Sequence, residues 1–265
     1  MELGLSVHRG ASYENQVKFF KKYGIKHTFI MSNHPDFHSL MALFRENGIT
    51  CDNLHAPFKG INAMWGEDET AAQNMFSQLV DSVDKCAQYG IPVTVVHLSS
   101  GRPMPEINEM GVARFVKLFD YAAQKGVTVA LENQRYKENL AYFMERFQTP
   151  GFCWDCGHEY GVTGEVGFMK LYGHRLAALH IHDNRCGVDT DDHLLPFDGK
   201  INFDRVAEQI AKSGYRGTLM LEVLQNANIT DKPFYGDLTD EQYIARAVTA
   251  ARKLSDMIES YKEAQ

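Results

Sequence analysis

Short apolar runs rich in β-branched residues alternate with amphipathic stretches along the whole chain. ELGLSVH (2–8) precedes SYENQVKFFKKYG (12–24), and HTFIM (27–31) precedes DFHSLMALFRENG (36–48). TCDNLHAPF (50–58) precedes a long helical pattern over 68–89, and PVTVVHLSS (92–100) precedes one over 112–126. VTVALEN (127–133), GFCWDCGH (151–158), LAALHIHDN (176–184) and GTLMLEV (217–223) follow, each ahead of a helical stretch: 137–148, 165–174, 203–214 and from Asp240 onward. The first kind of run reads as buried strand and the second as helix. Glycine follows several helical stretches, at Gly24, Gly48, Gly90, Gly126 and Gly214, where a left-handed residue ends a helix cheaply. Strand, helix and glycine recur about eight times, the cadence of parallel βαβ units closing into a barrel. The expectation is one α/β domain over residues 1–265, a (β/α)8 TIM barrel. An open doubly wound sheet is the rival, but no glycine-rich phosphate turn follows an early strand.

Composition narrows the class. Hydrophobic residues make up 44% and charged residues 23%, with a net charge of -7, as in a globular protein with a substantial core. The acidic balance argues against a nucleic-acid surface, although a local basic patch is compatible with it. No leader-like segment opens the chain and no run of about 18 apolar residues marks a membrane span. Five cysteines, an odd number, fit a reduced compartment, so a cytoplasmic protein is expected. Cys153 and Cys156 have CxxC spacing but no second pair, and read as packing residues.

Candidate chemistry collects where barrels place it, at the C-terminal ends of the strands. His8, His55, His97, Glu132, Asp155, His180, His182 and Glu222 end otherwise apolar runs, with His158, Asp191 and His193 close behind. A single inward histidine is ordinarily a satisfied core residue; polar ends on seven strands are not explained that way. Converging carboxylates are costly out of water unless neutralised, and few Lys or Arg flank these motifs. Nitrogen and oxygen donors without thiolates favour Zn, Mn or Co. His180 and His182, two apart on a strand, point the same way. His27, His38 and His174 read as surface groups, His34 as within reach of the mouth, and His8 as a supporting donor. Tyr243, Ile244 and Ile258 read as barrel packing, with a homo-oligomer seam as their other use.

ALEN, CWDCGH, LHIHDN, DDHLLPFDGKINF and LEV, in this order and spacing, resemble the xylose-isomerase-like TIM-barrel superfamily over nearly the whole chain. That superfamily holds sugar and sugar-phosphate isomerases and epimerases, and endonuclease IV. The resemblance implies one metal on Glu132, Asp155, Glu222 and either His180 or His182. Glu132 and Glu222 would also act as acid and base, with His158 and Arg185 as substrate-binding groups. Likeness to endonuclease IV implies three zinc ions on His55, His97, Glu132, Asp155, His158, His180, Asp191, His193 and Glu222. Phe58 stands where an aromatic would enter a duplex or wall a sugar pocket, and the loop 60–67 with Met64 and Trp65 would cover a small substrate.

The expected function is therefore a divalent-metal-dependent isomerase or epimerase of a sugar or sugar phosphate, with one to three ions. An abasic-site phosphodiesterase is the alternative, with Lys59, Arg102, Arg135 and Arg185 as its phosphate contacts. A non-enzymatic sugar-binding barrel is a third reading, disfavoured by the intact carboxylate pair. The lack of a glycine-rich phosphate loop favours an unphosphorylated or small keto-sugar.

Overall fold

Amphipathic periodicity and capping residues account for the helices. Helix α7 (Phe203–Ser213) buries Phe203, Val206, Ala207, Ile210 and Ala211, the spacing of one apolar face. The Asn202 side chain accepts the Asp204 and Arg205 N–H groups at its start, satisfying donors that have no partner within the helix. Helix α3 (Glu69–Tyr89) is capped in the same way by Asp68, and α8 (Asp240–Glu263) by a reciprocal Thr239–Gln242 box. At the other ends, Gly24 closes α1 (Tyr13–Tyr23) at φ 80° and Gly90 closes α3 at φ 68°, a region costly for residues with a Cβ. Helices α2 (Phe37–Glu46), α4 (Glu109–Gln124), α5 (Lys137–Arg146) and α6 (Phe168–Tyr172) complete the outer ring.

The strands are β1 (Leu3–Leu5), β2 (His27–Met31), β3 (Thr50–His55), β4 (Val93–Val96), β5 (Thr128–Glu132), β6 (Gly151–Asp155), β7 (Leu176–His180) and β8 (Leu219–Leu221). The structure, a computed structural model, describes residues 1–7, 12–134, 137–163, 166–187, 190–227 and 234–264. All eight strands are parallel in the order β7-β6-β5-β4-β3-β2-β1-β8. The seam between β7 and β8 closes just above them: Ile181 N–H donates to Met220 O and Glu222 N–H to Ile181 O, both at 3.0 Å. The sheet is thus a (β/α)8 barrel. No helix among the described residues is long and apolar enough to cross a membrane.

The inner face explains where the polar groups go. Val93, Val95, Ala130, Cys153 and Ala178 form a small apolar cluster of their own. Two residues further along each strand stand His97, Glu132, Asp155 and His180, so period two carries these side chains to the same inward face at the C-terminal end. The larger core lies between strands and helices and includes Tyr243, Ile244 and Ile258, each 0% exposed, which fits the packing reading of the last helix.

Two expectations are corrected. Helix α6 is shorter than 165–174: a π-type turn occupies His158–Thr163, and Gly167 at φ 80° precedes Phe168. The loop carrying Met64 and Trp65 is a 3-10 turn (Ile61–Trp65) folded into the core, not a cover over the mouth. Trp65 is 3% exposed, donates Nε1–H to Leu98 O at 2.7 Å and lies beside Phe115 and Phe143. Its ring also fills the space a Cβ on Gly111 would need, with the nearest ring carbon at 2.1 Å. Gly111→Ala is therefore expected to cost about 1–3 kcal/mol through overpacking, measured by denaturant unfolding; an unchanged midpoint would contradict this packing.

Candidate metal centre

The ten residues expected as ligands converge on one mouth. His55 ends β3, His97 follows β4, Glu132 ends β5 and Asp155 ends β6. His158 sits in the turn just beyond Asp155. His180 ends β7, with His182 two residues on; Asp191 and His193 come from the following loop, and Glu222 follows β8. Their donor atoms fall into overlapping groups within 4.8 Å: His55–His97–Glu132, His55–His180–Glu222, Glu132–Asp155–His180–Glu222, Asp155–His158–His182 and His182–Asp191–His193.

The spacings suit ion coordination. Bonds of about 2.0–2.2 Å to a tetrahedral ion place neighbouring donors about 3.3 Å apart. His55 Nε2 is 3.2 Å and His97 Nε2 2.7 Å from Glu132 Oε2. His180 Nδ1 is 3.3 Å from Glu132 Oε1 and 3.1 Å from Glu222 Oε2. His182 Nε2 is 3.1 Å from Asp155 Oδ1, and Asp191 Oδ1 is 3.2 Å from His193 Nε2 and 3.4 Å from His158 Nε2. Among the described residues, buried Asp155 Oδ2 and His182 Nε2 make no well-aligned hydrogen bond, although Asp155 Oδ1 lies 3.1 Å from that nitrogen, and a buried polar atom without one is costly. An ion would satisfy both, so the donor set fits a divalent metal.

Backbone carbonyls orient the imidazoles. Nδ1 faces Ala56 O in His55 (2.8 Å), Asn133 O in His158 (3.0 Å), Glu222 O in His193 (3.0 Å) and Asp183 O in His182 (3.3 Å). A proton held on Nδ1 by a carbonyl leaves Nε2 as the free lone pair, the usual way a protein prepares a histidine ligand. His193 adopts φ 49°, unfavourable for a residue with a Cβ and of the kind found at functional sites. Its ring stacks on His182 with centroids 4.1 Å apart.

Protons balance the charge among these side chains. Burial pushes Glu132 up, but His97 and His180 hold it well below the usual carboxylate range. Glu222, opposed by burial, is lowered by His180 and His193. Asp191, likewise opposed by burial, is lowered by hydrogen bonds from His158 and His193. Burial disfavours charge on His193, yet Asp191 and Glu222 raise it to about 10. His158 and His180 are raised well above the usual value against burial, His158 by Asp155 and Asp191, His180 by Cys153, Glu222 and Glu132. Burial wins at His97, which is lowered. A metal would displace the imidazole protons.

The flanking residues divide. Phe58 stacks on His97 (4.6 Å) and lines a cavity of about 440 Å3 that Glu222 and His193 also border. Arg185, expected on substrate, is instead held by Asp192 in a two-pronged pair, Nε and Nη2 each 2.9 Å from a carboxylate oxygen; its backbone N–H donates to the same carboxylate. The pair braces the loop bearing Asp191 and His193. Asp192→Asn is expected to weaken zinc binding about 10–100-fold, the usual cost of losing a supporting contact, in competition titrations against a chelator; wild-type affinity would remove the bracing role.

Other histidines lie elsewhere. His27 pairs with Asp52 at the start of β2, His38 with the Tyr89 hydroxyl and His34 with the Tyr13 hydroxyl; none joins a ligand group among the described residues. His174 lines a surface groove between α6 and α7. His8 and Arg135 lie outside the described residues. Cys153 and Cys156 are free and buried.

Three supporting residues had little sequence signal. The Asn133 amide exchanges hydrogen bonds with the backbone of Asp155, at 2.7 and 2.8 Å, in the manner of a strand. Glu159 accepts from Trp154 Nε1 and Gly167 N–H, both at 2.6 Å. Asp183 accepts N–H groups from Asn184, Gly199 and Ile201, fixing the loop behind the site; only its place beside the HxH pair hinted at this.

Known proteins bear on this geometry. The chain is 29% identical over 201 residues to the uncharacterized protein y4fM of Sinorhizobium fredii, covering 70% of this chain and 61% of that one. It is 28% identical over 171 residues to a probable endonuclease 4 of Cenarchaeum symbiosum, covering 54% and 59%. The chain thus spans about three fifths of the length of these curated relatives. Its fold is similar to D-psicose 3-epimerase with D-tagatose from Clostridium cellulolyticum H10 (TM-score 0.78, 17% identity, 97% and 99% of the two chains). It is also similar to the IolI protein with a binding zinc atom (TM-score 0.74, 17% identity, 98% and 99%). The family described as xylose isomerase-like TIM barrel matches residues 21–259, so the chain belongs to that family.

Proposed function

We propose that this chain is a divalent-metal-dependent isomerase or epimerase of a small sugar, with its catalytic ion on Glu132, Asp155, His180 and Glu222. The observation that carries this is the convergence of those four donors, from four strand ends, beside a cavity of about 440 Å3, within the size range of small-molecule sites. Zinc, manganese or cobalt suits the nitrogen and oxygen donors. When bound, such an ion supplies Lewis-acid polarisation of a carbonyl and its neighbouring hydroxyl.

The side chains then divide the proton work. Glu222, 17% exposed, borders the cavity and takes the proton from the substrate carbon beside the carbonyl. Glu132 is buried and contacted by His55, His97 and His180; it serves the opposite face, with His97 at 2.7 Å as its proton partner. The D-psicose 3-epimerase named above supports a ketose as substrate class. The test is exchange of solvent deuterium into the C–H beside the carbonyl of a panel of ketoses, followed by NMR on metal-loaded protein. Exchange in at least one is expected; none across the panel removes this reading.

A second reading rests on Glu132 presenting one oxygen to His55 and His97 and the other to His180. With the group at Asp191 and His193, this makes room for more than one ion, as a phosphodiesterase would need; the probable endonuclease 4 is a relative in keeping with it. Lys59 and Arg102 are exposed, while Arg185 is committed to Asp192. Incision of an abasic duplex together with three zincs per chain would select this reading.

A further inference from the structure

The cavity beside Glu222 and His193 has a far wall of different character. Val7, Phe29, Met31, Phe58 and Leu224 make it largely apolar, and Phe58 and Leu224 are 37% and 43% exposed. Of the polar groups on that wall, Ser6 and the Gln225 amide nitrogen are engaged, and Asn226 stands exposed at its edge. Ser6 Oγ donates to Val223 O and accepts the Val223 N–H, both at 3.2 Å. Gln225 Nε2 donates to Leu238 O at 3.1 Å. Among the described lining residues there is no lysine or arginine.

A phosphate placed here would find no cation among those residues and would face the Glu222 carboxylate. A fully hydroxylated sugar end would give up bonds to water for few replacements, an unfavourable exchange. An apolar end would gain from burial against five apolar side chains. We propose that the substrate is a neutral α-hydroxy carbonyl compound whose end remote from the ligand cluster is apolar: a deoxygenated, alkylated or aryl-bearing sugar derivative, not a sugar phosphate. This rests on the isomerase or epimerase reading of the cluster. Leu224 and Phe58 are the residues that select the remote end.

The test uses three probes with little stereochemistry: hydroxyacetone, phenacyl alcohol and dihydroxyacetone phosphate. Each is titrated calorimetrically into the zinc-loaded full chain, wild type and Leu224→Asp. Phenacyl alcohol is expected to bind about tenfold or more tightly than hydroxyacetone, and the phosphate ester no more tightly than hydroxyacetone. In Leu224→Asp most of the aryl advantage disappears while zinc content is unchanged. Equal binding of the first two, an aryl advantage that survives Leu224→Asp, tighter binding of the phosphate ester, or binding of none overturns the proposal. Deuterium exchange on the same samples separates it from the reading beneath it. Exchange without an aryl preference removes the apolar subsite alone; aryl preference without exchange on any probe removes the isomerase or epimerase reading and leaves the subsite.

Discussion

Glu132→Gln is expected to abolish turnover while the barrel stays folded. The side chain is 1% exposed and meets four imidazoles, with His97 at 2.7 Å, His55 at 3.2 Å, His180 at 3.3 Å and His158 at 3.5 Å. Glutamine keeps the shape but removes the charge, so on the proposed reading the site loses a ligand and an acid–base group together. The acid–base part alone is worth about 10²–10⁴ in rate, and weaker metal retention adds to it. The expected result is activity at or below about one part in a thousand, with an unchanged circular dichroism spectrum and depleted metal. Near-normal rates would take Glu132 out of the mechanism; a collapsed spectrum would make its role structural.

Removing the metal should have the second largest effect, with a definite dependence on pH. Without an ion, His158, His180 and His193 keep their protons well above the usual histidine range, His193 to about 10. Their folded values are raised, so their contribution to stability is complete below about pH 6.5 and is lost as pH rises through the folded values. Glu132, Asp191 and Glu222 are depressed, so they stabilise above about pH 4.5 and lose that contribution as pH falls. The metal-free protein should be most stable between these limits, near about pH 5–6. Added zinc competes with the imidazole protons, so its benefit should be small at about pH 5, larger at about pH 8, and still rising until pH passes the folded value of about 10 at His193. At a hundredfold excess over Kd the gain is about 2.7 kcal/mol, a rise in melting temperature of about 5–10 °C for a chain of this size. Melting curves with zinc and with chelator across pH test this; a zinc-induced shift that is the same at both ends contradicts it.

The sequence made the barrel and the convergence of inward polar side chains legible for one reason. Strand period two ties His97, Glu132, Asp155 and His180 to the small inward residues Val95, Ala130, Cys153 and Ala178 beneath them, so an apolar run with a polar end already names the inward face. The glycine stops worked likewise, because the requirement at Gly24 and Gly90 is local. What was not legible depends on closure in space. Trp65 follows a loop and resembles a cover, but Gly111 on α4 leaves a hollow shaped for its ring, and nothing near residue 65 announces that. Arg185 follows the ligand run, yet the loop returns Asp192 to it, with Cys186 at φ 55° and His193 at φ 49° near its ends. Charge pairing across such a loop is invisible until the backbone is placed. The short α6 reflects the turn at His158–Thr163, which a helical pattern over 165–174 does not reveal.

The most direct measurement is anomalous diffraction from crystals of the protein loaded with zinc, collected above and below the metal's absorption edge. The expected result is a strong peak enclosed by Glu132, Asp155, His180 and Glu222, within about 2.0–2.2 Å of their donor atoms. Full occupancy of metal elsewhere on the molecule, with no peak among those four side chains, would contradict it.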